Sequence, residues 1–356
     1  PWDEIHPRLT PGSMESYSTS VVAASKKLTL YLRVWKKWGT AMRELDVNLD
    51  AISLKGAMPG AARQNGAQVV DATKLALSFE APPFPVVGWN YTISVQSRNE
   101  VGVTHLALYD DGTLLGSVSH DVGPLSLSHD FAWTPMTTGK HTLKAVAYDA
   151  AGAKKVYKVK VRVGKEKQFL YNGGFEKGFD WTPAGMVGSG WGSFHSTGSA
   201  DYGFYDDTWA PVVNGGFHSQ LIEINTKGRH ASEPDRYAGI YQTVKGLTPG
   251  ATYKIKLHGM LRVMANDPDR EGYNYRVEVG IDPNGGTDWT LVDNWVELPW
   301  DTVYTRLEPG AMSETVAAFE APAKRATVFV RAWKKWGTGE RELDVNLDTM
   351  SLRGYK

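Results

Sequence analysis

Two stretches of this 356-residue chain are versions of one another, and that repetition constrains the fold more than any other feature. "WKKWGT" stands at 35–40 and again at 333–338, each time followed within a few residues by "RELDVNLD". With Trp2 set against Trp300 the offset is 298, and it holds without a gap from Pro1/Pro299 to Gly56/Gly354, giving 29 identities in 56 positions. Copies of one segment fold as copies of one structural unit, so the repeat is settled before any single strand is assigned. "NGGFE" at 172–176 opens the unit that ends the chain and has no counterpart ahead of Pro1. Residues 1–56 therefore read as the last part of a first copy. Its missing strands are expected from another polypeptide segment or chain, because orphan strands leave open edges and an uncovered apolar face.

Composition narrows the class. Aromatic residues make up 11% of the chain beside Gly 37 and Pro 18, a mixture suited to many short strands with tight turns rather than to helices. Lys+Arg and Asp+Glu both total 39, so no net field draws nucleic acid or an anionic membrane. There is no cysteine, which removes disulfides, thiolate metal sites and a cysteine nucleophile. No apolar run approaches the ~18 residues of a membrane span, and "PWDEIHPRLTPG" is not a signal peptide. The expectation is a soluble protein that has lost a signal or been cut from something larger.

In the middle of the chain, alternating runs at 141–148 and 156–163 predict strands, and "DDGT" at 110–113 predicts a hairpin turn. The succession "VTHLALYDDGTLLGS", "FAWTP", "GKHTLKAVAYDAAG" resembles bacterial immunoglobulin-like domains over about 66–164, which implies a spacer sandwich. Asp110, Asp111 and Asp149 suit either a cation or tight turns, and the turn reading is the simpler.

From Lys167 onward strand signals such as "RYAGIYQTV", "ATYKIKLHGMLRV", "YNYRVEVGI", "DWTLVDNWVEL" and "ATVFVRAWKKW" predict a two-sheet jelly roll. "YNGGFEKGF", "GIYQTVKGLTPGATYKIKLHGMLR" and "ELDVNLDTMSL" resemble jelly-roll carbohydrate-binding modules that carry a structural calcium, over 167–354. That resemblance implies calcium held by Glu176 and Asp348, with Asp50 the counterpart of Asp348 in the partial copy. It also implies non-catalytic binding of a polysaccharide by a secreted or cell-surface bacterial protein. The expected architecture is all-β: a partial jelly roll at 1–57, an immunoglobulin-like β-sandwich at 58–165 and a complete jelly-roll β-sandwich at 166–356.

Strand alternation then selects faces. Val328, Val330 and Ala332 should face the core, leaving Phe329, Arg331, Trp333 and Lys335 on the other side. Leu343, Val345 and Leu347 should face inward and Glu342, Asp344, Asn346 and Asp348 outward. If "GTGE" at 337–340 makes a hairpin, Trp333 lies across from Asp344 and Arg331 from Asn346. The outward residues of the partial copy, among them Arg33, Trp35 and Asp46, are the same apart from Tyr31 for Phe329. A ring, a guanidinium and carboxylates in one strip suit a sugar, by stacking and by bidentate hydrogen bonds. A solvated face, packing under the aromatic insertion at 181–217 and a protein interface are the alternatives. Tyr205 and Trp209 of the insertion, Tyr237 and Tyr241 of "RYAGIYQTV" and Arg262 are further candidate contacts. Asp206, Asp207, Glu223 and Glu233 show no glycosidase spacing. His195, His218, His230 and His258 show no metal-ligand spacing. A structural repeat of a surface layer, sheath or filament, built by self-assembly, is the rival function.

Overall fold

A computed structural model describes residues 74–228, 235–268, 270, 273–335, 338 and 340–356. The chain divides into two compact units, Pro1–Val69 and Val70–Lys356, and the described residues lie in the second. Arg33, Trp35, Asp46 and Asp50 fall outside them, as do His230, Glu233 and Trp336.

The described residues are all-β and form two sandwiches. The first is built from β1 (Ala76–Phe79), β2 (Tyr91–Arg98), β3 (Val103–Asp110), β4 (Thr113–Ser119), β5 (Ser126–Trp133), β6 (Gly139–Asp149) and β7 (Lys154–Val163). Sheet β1-β2-β5 packs on sheet β4-β3-β6-β7 around Ile93, Val95, Leu106, Leu108, Trp133 and Leu143. Asp149 serves the turn after β6, whereas Asp110 and Asp111 reach across to other strands and lie with His141 in a group that could hold a metal ion. Asp110 accepts from Trp133 Nε1 at 2.9 Å, Asp111 from the amide of Thr142 at 2.8 Å, and Asp149 from the amides of Ala151 and Ala153.

The second sandwich contains β8 (Glu166–Gln168), β9 (Phe179–Thr182), β10 (Gly185–Gly188), β11 (Gly192–His195), β12 (Asp201–Asp207), β13 (Ser219–Asn225), β14 (Arg236–Lys245), β15 (Thr252–Val263), β16 (Tyr275–Asp282), β17 (Trp295–Glu297), β18 (Val303–Thr305), β19 (Ser313–Glu320), β20 (Arg325–Lys334) and β21 (Glu342–Tyr355). One sheet runs β18-β15-β21-β13-β12-β10-β9, with β19 also on β15 and β8 on β21; the other runs β11-β14-β20-β16-β17. The insertion at 181–217, irregular in sequence, supplies parts or all of β9 to β12, strands of four to seven residues that extend both sheets.

From β13 onward the main strands change sheet at each step: β13, β15, β19 and β21 in the larger, β14, β16 and β20 in the smaller. That alternation overturns the expected hairpin. β20 pairs with β14 and β16, whereas β21 pairs with β13 and β15, so the connection after Lys335 crosses the sandwich. Val328, Val330 and Ala332 therefore meet Leu343, Val345 and Leu347 face to face across one core, all at 0% exposure. Alternation tells which side chains are apolar, and it is the same whether the next strand pairs beside its predecessor or crosses above it.

The two sandwiches touch through Trp89, whose Nε1 donates to Glu166 at 2.9 Å and whose ring carries Lys254 Nζ at 3.9 Å, and through the edge contact of Phe84 with Tyr355.

The strand order has a direct check in a chain without cysteine. Thr243 and Thr327 are register partners whose hydroxyls stand 2.8 Å apart. The double variant Thr243→Cys/Thr327→Cys should oxidise to a disulfide, seen as a loss of two hydrogens in the intact mass. Lys335→Cys/Glu342→Cys should stay reduced, and the opposite pattern would restore the hairpin.

Candidate functional site

Because β20 and β21 lie in different sheets, the candidate ligand residues separate onto two outer faces of the second sandwich. Arg331, Trp333, Tyr237 and Tyr241 share the outer face of the smaller sheet, where Tyr237 is the register partner of Trp333 and Tyr241 of Phe329. Asp344, Asn346, Arg262, Tyr205 and Trp209 belong to the outer side of the larger sheet and the loop beyond β12.

The smaller-sheet face is a layer of half-buried rings. Tyr237 and Trp333 stack with centroids 6.0 Å apart and planes at 22°, and Trp289 sits 5.9 Å from Tyr237. The Arg331 guanidinium lies 4.2 Å from the centre of Tyr237 and 3.8 Å from that of Trp295, and its Nε donates to Glu278 at 2.7 Å. Trp333 Nε1 donates to Asp235 at 2.8 Å. Lys335 Nζ caps Tyr273 at 3.5 Å and Trp333 at 4.8 Å. Burial lowers the Lys335 pKa, with Arg276 adding to the effect, and burial followed by the Asp235 charge raises that of Tyr237. Tyr237, Trp289, Trp295 and Trp333 are thus each pinned by a cation, with a further hydrogen bond on Trp333, and all four residues stay half-buried, while Tyr241 packs on Phe194 and Phe329. Trp289 and Trp295 are members of this layer that the sequence reading missed. "DWTLVDNWVEL" reads as one strand, but it is a capped turn at Trp289–Leu291 followed by β17.

The larger-sheet face is different in kind. Asp344 and Asn346 point outward as alternation requires, yet both are 0% exposed, so outward does not mean solvent-facing here. Arg262 Nη2 donates to Asn346 Oδ1 at 2.8 Å and to Asp207 Oδ2 at 3.1 Å, and its Nη1 donates to the carbonyl of Arg306. Asn346 Nδ2 donates in turn to Asp207 and to Ser219 Oγ, both at 3.0 Å. Arg306 pairs with Asp344 at 2.7 Å and also with Glu342 and Glu223. Neither Asp344 oxygen accepts a hydrogen bond of good geometry, and burial pushes its carboxyl up to about 6 against the pull of Arg306 and Arg262. Asp344 and Asn346 therefore hold other side chains in place.

Glu176 and Asp348 face one loop. Glu176 Oε1 accepts from the amides of Phe217 and His218 at 2.8 Å each, and Asp348 Oδ2 from those of Asn214 and Gly215 at 2.7 and 3.0 Å. Gly216 stands between them at φ 91°, where a Cβ would come within 2.3 Å of the Glu176 carboxyl carbon. Burial raises the Asp348 pKa and the Glu176 charge adds to it. Of the residues considered for catalysis, Asp206 binds His218, Asp207 binds Arg262 and Glu223 faces Arg306.

No protein-family model matches this chain, and neither does any curated protein. Solved structures similar to it include a carbohydrate-binding module of the β-sandwich superfamily (12% identical, 79% of this chain and 99% of that one, TM-score 0.30). Another is a carbohydrate-binding module in complex with β-1,4-galactotriose (13% identical, 52% and 97%, TM-score 0.32). A third is the CARDB domain of a Pyrococcus furiosus protein in complex with di-metal ions (22% identical, 25% and 92%, TM-score 0.23).

The raised Asp344 pKa has a pH signature. Between pH 3.8 and about 6 the folded protein keeps a proton that the unfolded chain has released, so stability falls as pH rises through that window. The shift corresponds to roughly 3 kcal/mol at pH 7. Measured by urea unfolding, Asp344→Asn should gain stability relative to the parent by about that amount between pH 4 and pH 7.5. A pH-independent difference would contradict the assignment.

Proposed function

We propose that the second sandwich is a non-catalytic carbohydrate-binding module and that the glycan lies across the outer face of the smaller sheet. The observation that carries this reading is the near-parallel pair Tyr237 and Trp333, flanked by Trp289 and held by Arg331, Asp235 and Lys335. A pyranose presents an apolar C–H face to such a ring and hydroxyls to charged groups at its rim. The rings are fixed before any ligand arrives, which lowers the entropy cost of binding. Among the polar groups beside them, Asp235 offers carboxylate oxygens and Lys335 a rim ammonium. Two like copies in one protein would multiply weak affinity through avidity, with Arg33 and Trp35 in the roles of Arg331 and Trp333 and Asp46 in that of Asp344. Placement outside the cell, as a multidomain attachment protein, belongs to the same reading.

Calcium is part of the proposal as a structural ion held by Glu176 and Asp348, and by Asp50 in the partial copy. The pair fits a hard cation: both are carboxylates, Glu176 acts electrostatically on the buried Asp348, and no described lysine or arginine forms an ion pair with either. When bound, the ion supplies charge neutralisation at the junction of the 214–218 loop with β21. The residues themselves already tie that loop down through its amides.

The binding claim is tested by native affinity electrophoresis of the full chain through galactan, mannan, xylan and hydroxyethylcellulose. At least one should retard it, and Trp333→Ala should weaken the interaction about tenfold, near 1.4 kcal/mol. No retardation by any polysaccharide, together with ordered polymers in micrographs, would favour the filament reading instead. Calcium has its own check. Chelation should lower the melting temperature of the parent and leave Glu176→Gln unchanged; an unchanged parent would remove the ion from the account.

A further inference from the structure

The larger sheet carries a cleft of about 680 Å³ that the smaller-sheet face does not explain. Its floor is Leu221 and Arg262, at 8% and 5% exposure, and its walls include Asp207, Trp209, Arg306 and Leu307. That volume falls within the range of small-ligand pockets and is ample for one or two sugar units.

Trp209 is the organising ring. Its amide binds Asp207 Oδ1 at 3.1 Å and its carbonyl accepts from Val212 at 2.9 Å, closing a short turn that fixes the backbone. The guanidinium of Arg262 stands 5.2 Å from the ring centre. Arg262 is itself immobilised by Asn346, Asp207 and the Arg306 carbonyl, so Trp209 is held by an almost wholly buried network while remaining 38% exposed. A clamped, partly open indole beside a carboxylate and an arginine matches the chemistry of a pyranose, with one apolar face and a hydroxylated rim.

Leu307 provides an independent pointer. It is 85% exposed, so it serves no core, yet Arg306 and Leu307 recur as Arg8 and Leu9 in a repeat that has changed at nearly half its positions. A single exposed leucine is ordinary, but Leu307 lines the same cleft as Trp209 and Leu221 and adds apolar surface at its mouth. Tyr205 extends the same side: its ring lies so close over Gly203 that a Cβ there would meet it at 2.4 Å, and 45% of the residue remains exposed.

We infer that this cleft is a second carbohydrate site, taking one or two sugar units on Trp209 and Leu307. It faces away from the Trp333 platform, with the whole core between them. One glycan chain lying on the platform cannot also enter the cleft through the sandwich, so the module joins two chains or two branches. This rests on the carbohydrate reading above and adds to it a cross-linking activity contained within a single sandwich.

The test uses the full chain and whichever of galactan, mannan, xylan and hydroxyethylcellulose retards it, with the matching trisaccharide as the titrant. Trp209→Ala should lower the calorimetric stoichiometry by one equivalent, whereas Trp333→Ala should keep the cleft equivalent and weaken the platform about tenfold. Leu307→Ser, at a position too exposed to affect folding, should weaken the cleft site several-fold while leaving the melting temperature unchanged. The parent should make the polysaccharide solution turbid, and Trp209→Ala should reduce that turbidity. Full stoichiometry with undiminished turbidity in Trp209→Ala, together with unchanged affinity in Leu307→Ser, would overturn the second site while leaving the Trp333 platform intact. Failure of the parent to bind any of these sugars would overturn both.

Discussion

Everything distinctive about the second sandwich follows from the passage of the chain from β20 to β21 across the core. Had the two strands paired side by side, Arg331, Trp333, Asp344 and Asn346 would form one strip. Crossing the sandwich instead opposes Val328, Val330 and Ala332 to Leu343, Val345 and Leu347, and sends the polar halves of the two strands to opposite sides of the molecule. The burial of those six side chains is the interaction on which both outer faces depend, since apolar area removed from water at about 25 cal/mol per Å² is the dominant favourable contribution to the fold.

The two faces then follow different physics. On the smaller sheet, cations lie over rings: Arg331 between Tyr237 and Trp295, Lys335 over Tyr273 and Trp333, Arg276 over Tyr273 at 3.7 Å. Such contacts hold a ring by occupying one of its faces. On the larger sheet, charge is buried and must be compensated, and the chain does so with Arg262 and Arg306 over Asp207, Asp344 and Glu342. Removing one member of such a network leaves the others uncompensated. The identity of Glu342, Asp344 and Asn346 with Glu44, Asp46 and Asn48 in the repeat fits this positioning duty, and so does the recurrence of Arg306 as Arg8.

Much of this was legible in the sequence, for reasons that also mark where legibility ends. The apolar period of "TVFVRAW" and "ELDVNLD" located two strands and their core faces, because alternation is a local property. Which strand each pairs with is not local, and the glycine-rich segment at 337–340 is compatible with a hairpin or a crossing. The burial of Asp344 and Asn346 depends on Arg262 and Arg306, residues tens of positions away that complete their environment only in the fold. Alternation along "RYAGIYQTV" is enough to put Tyr237 and Tyr241 on the Trp333 face, whereas "DWTLVDNWVEL" reads as one strand and conceals Trp289 and Trp295. The insertion at 181–217 read as irregular because strands of four residues are too short to show a period.

The central claim is that Trp333 and Tyr237 form a prearranged sugar platform on the smaller sheet. A crystal structure of the protein with an oligosaccharide it binds tests this most directly. The account predicts pyranose rings stacked on Trp333 and Tyr237 in positions those side chains already hold. Oligosaccharide bound only elsewhere, with those two rings buried against another polypeptide, would contradict it.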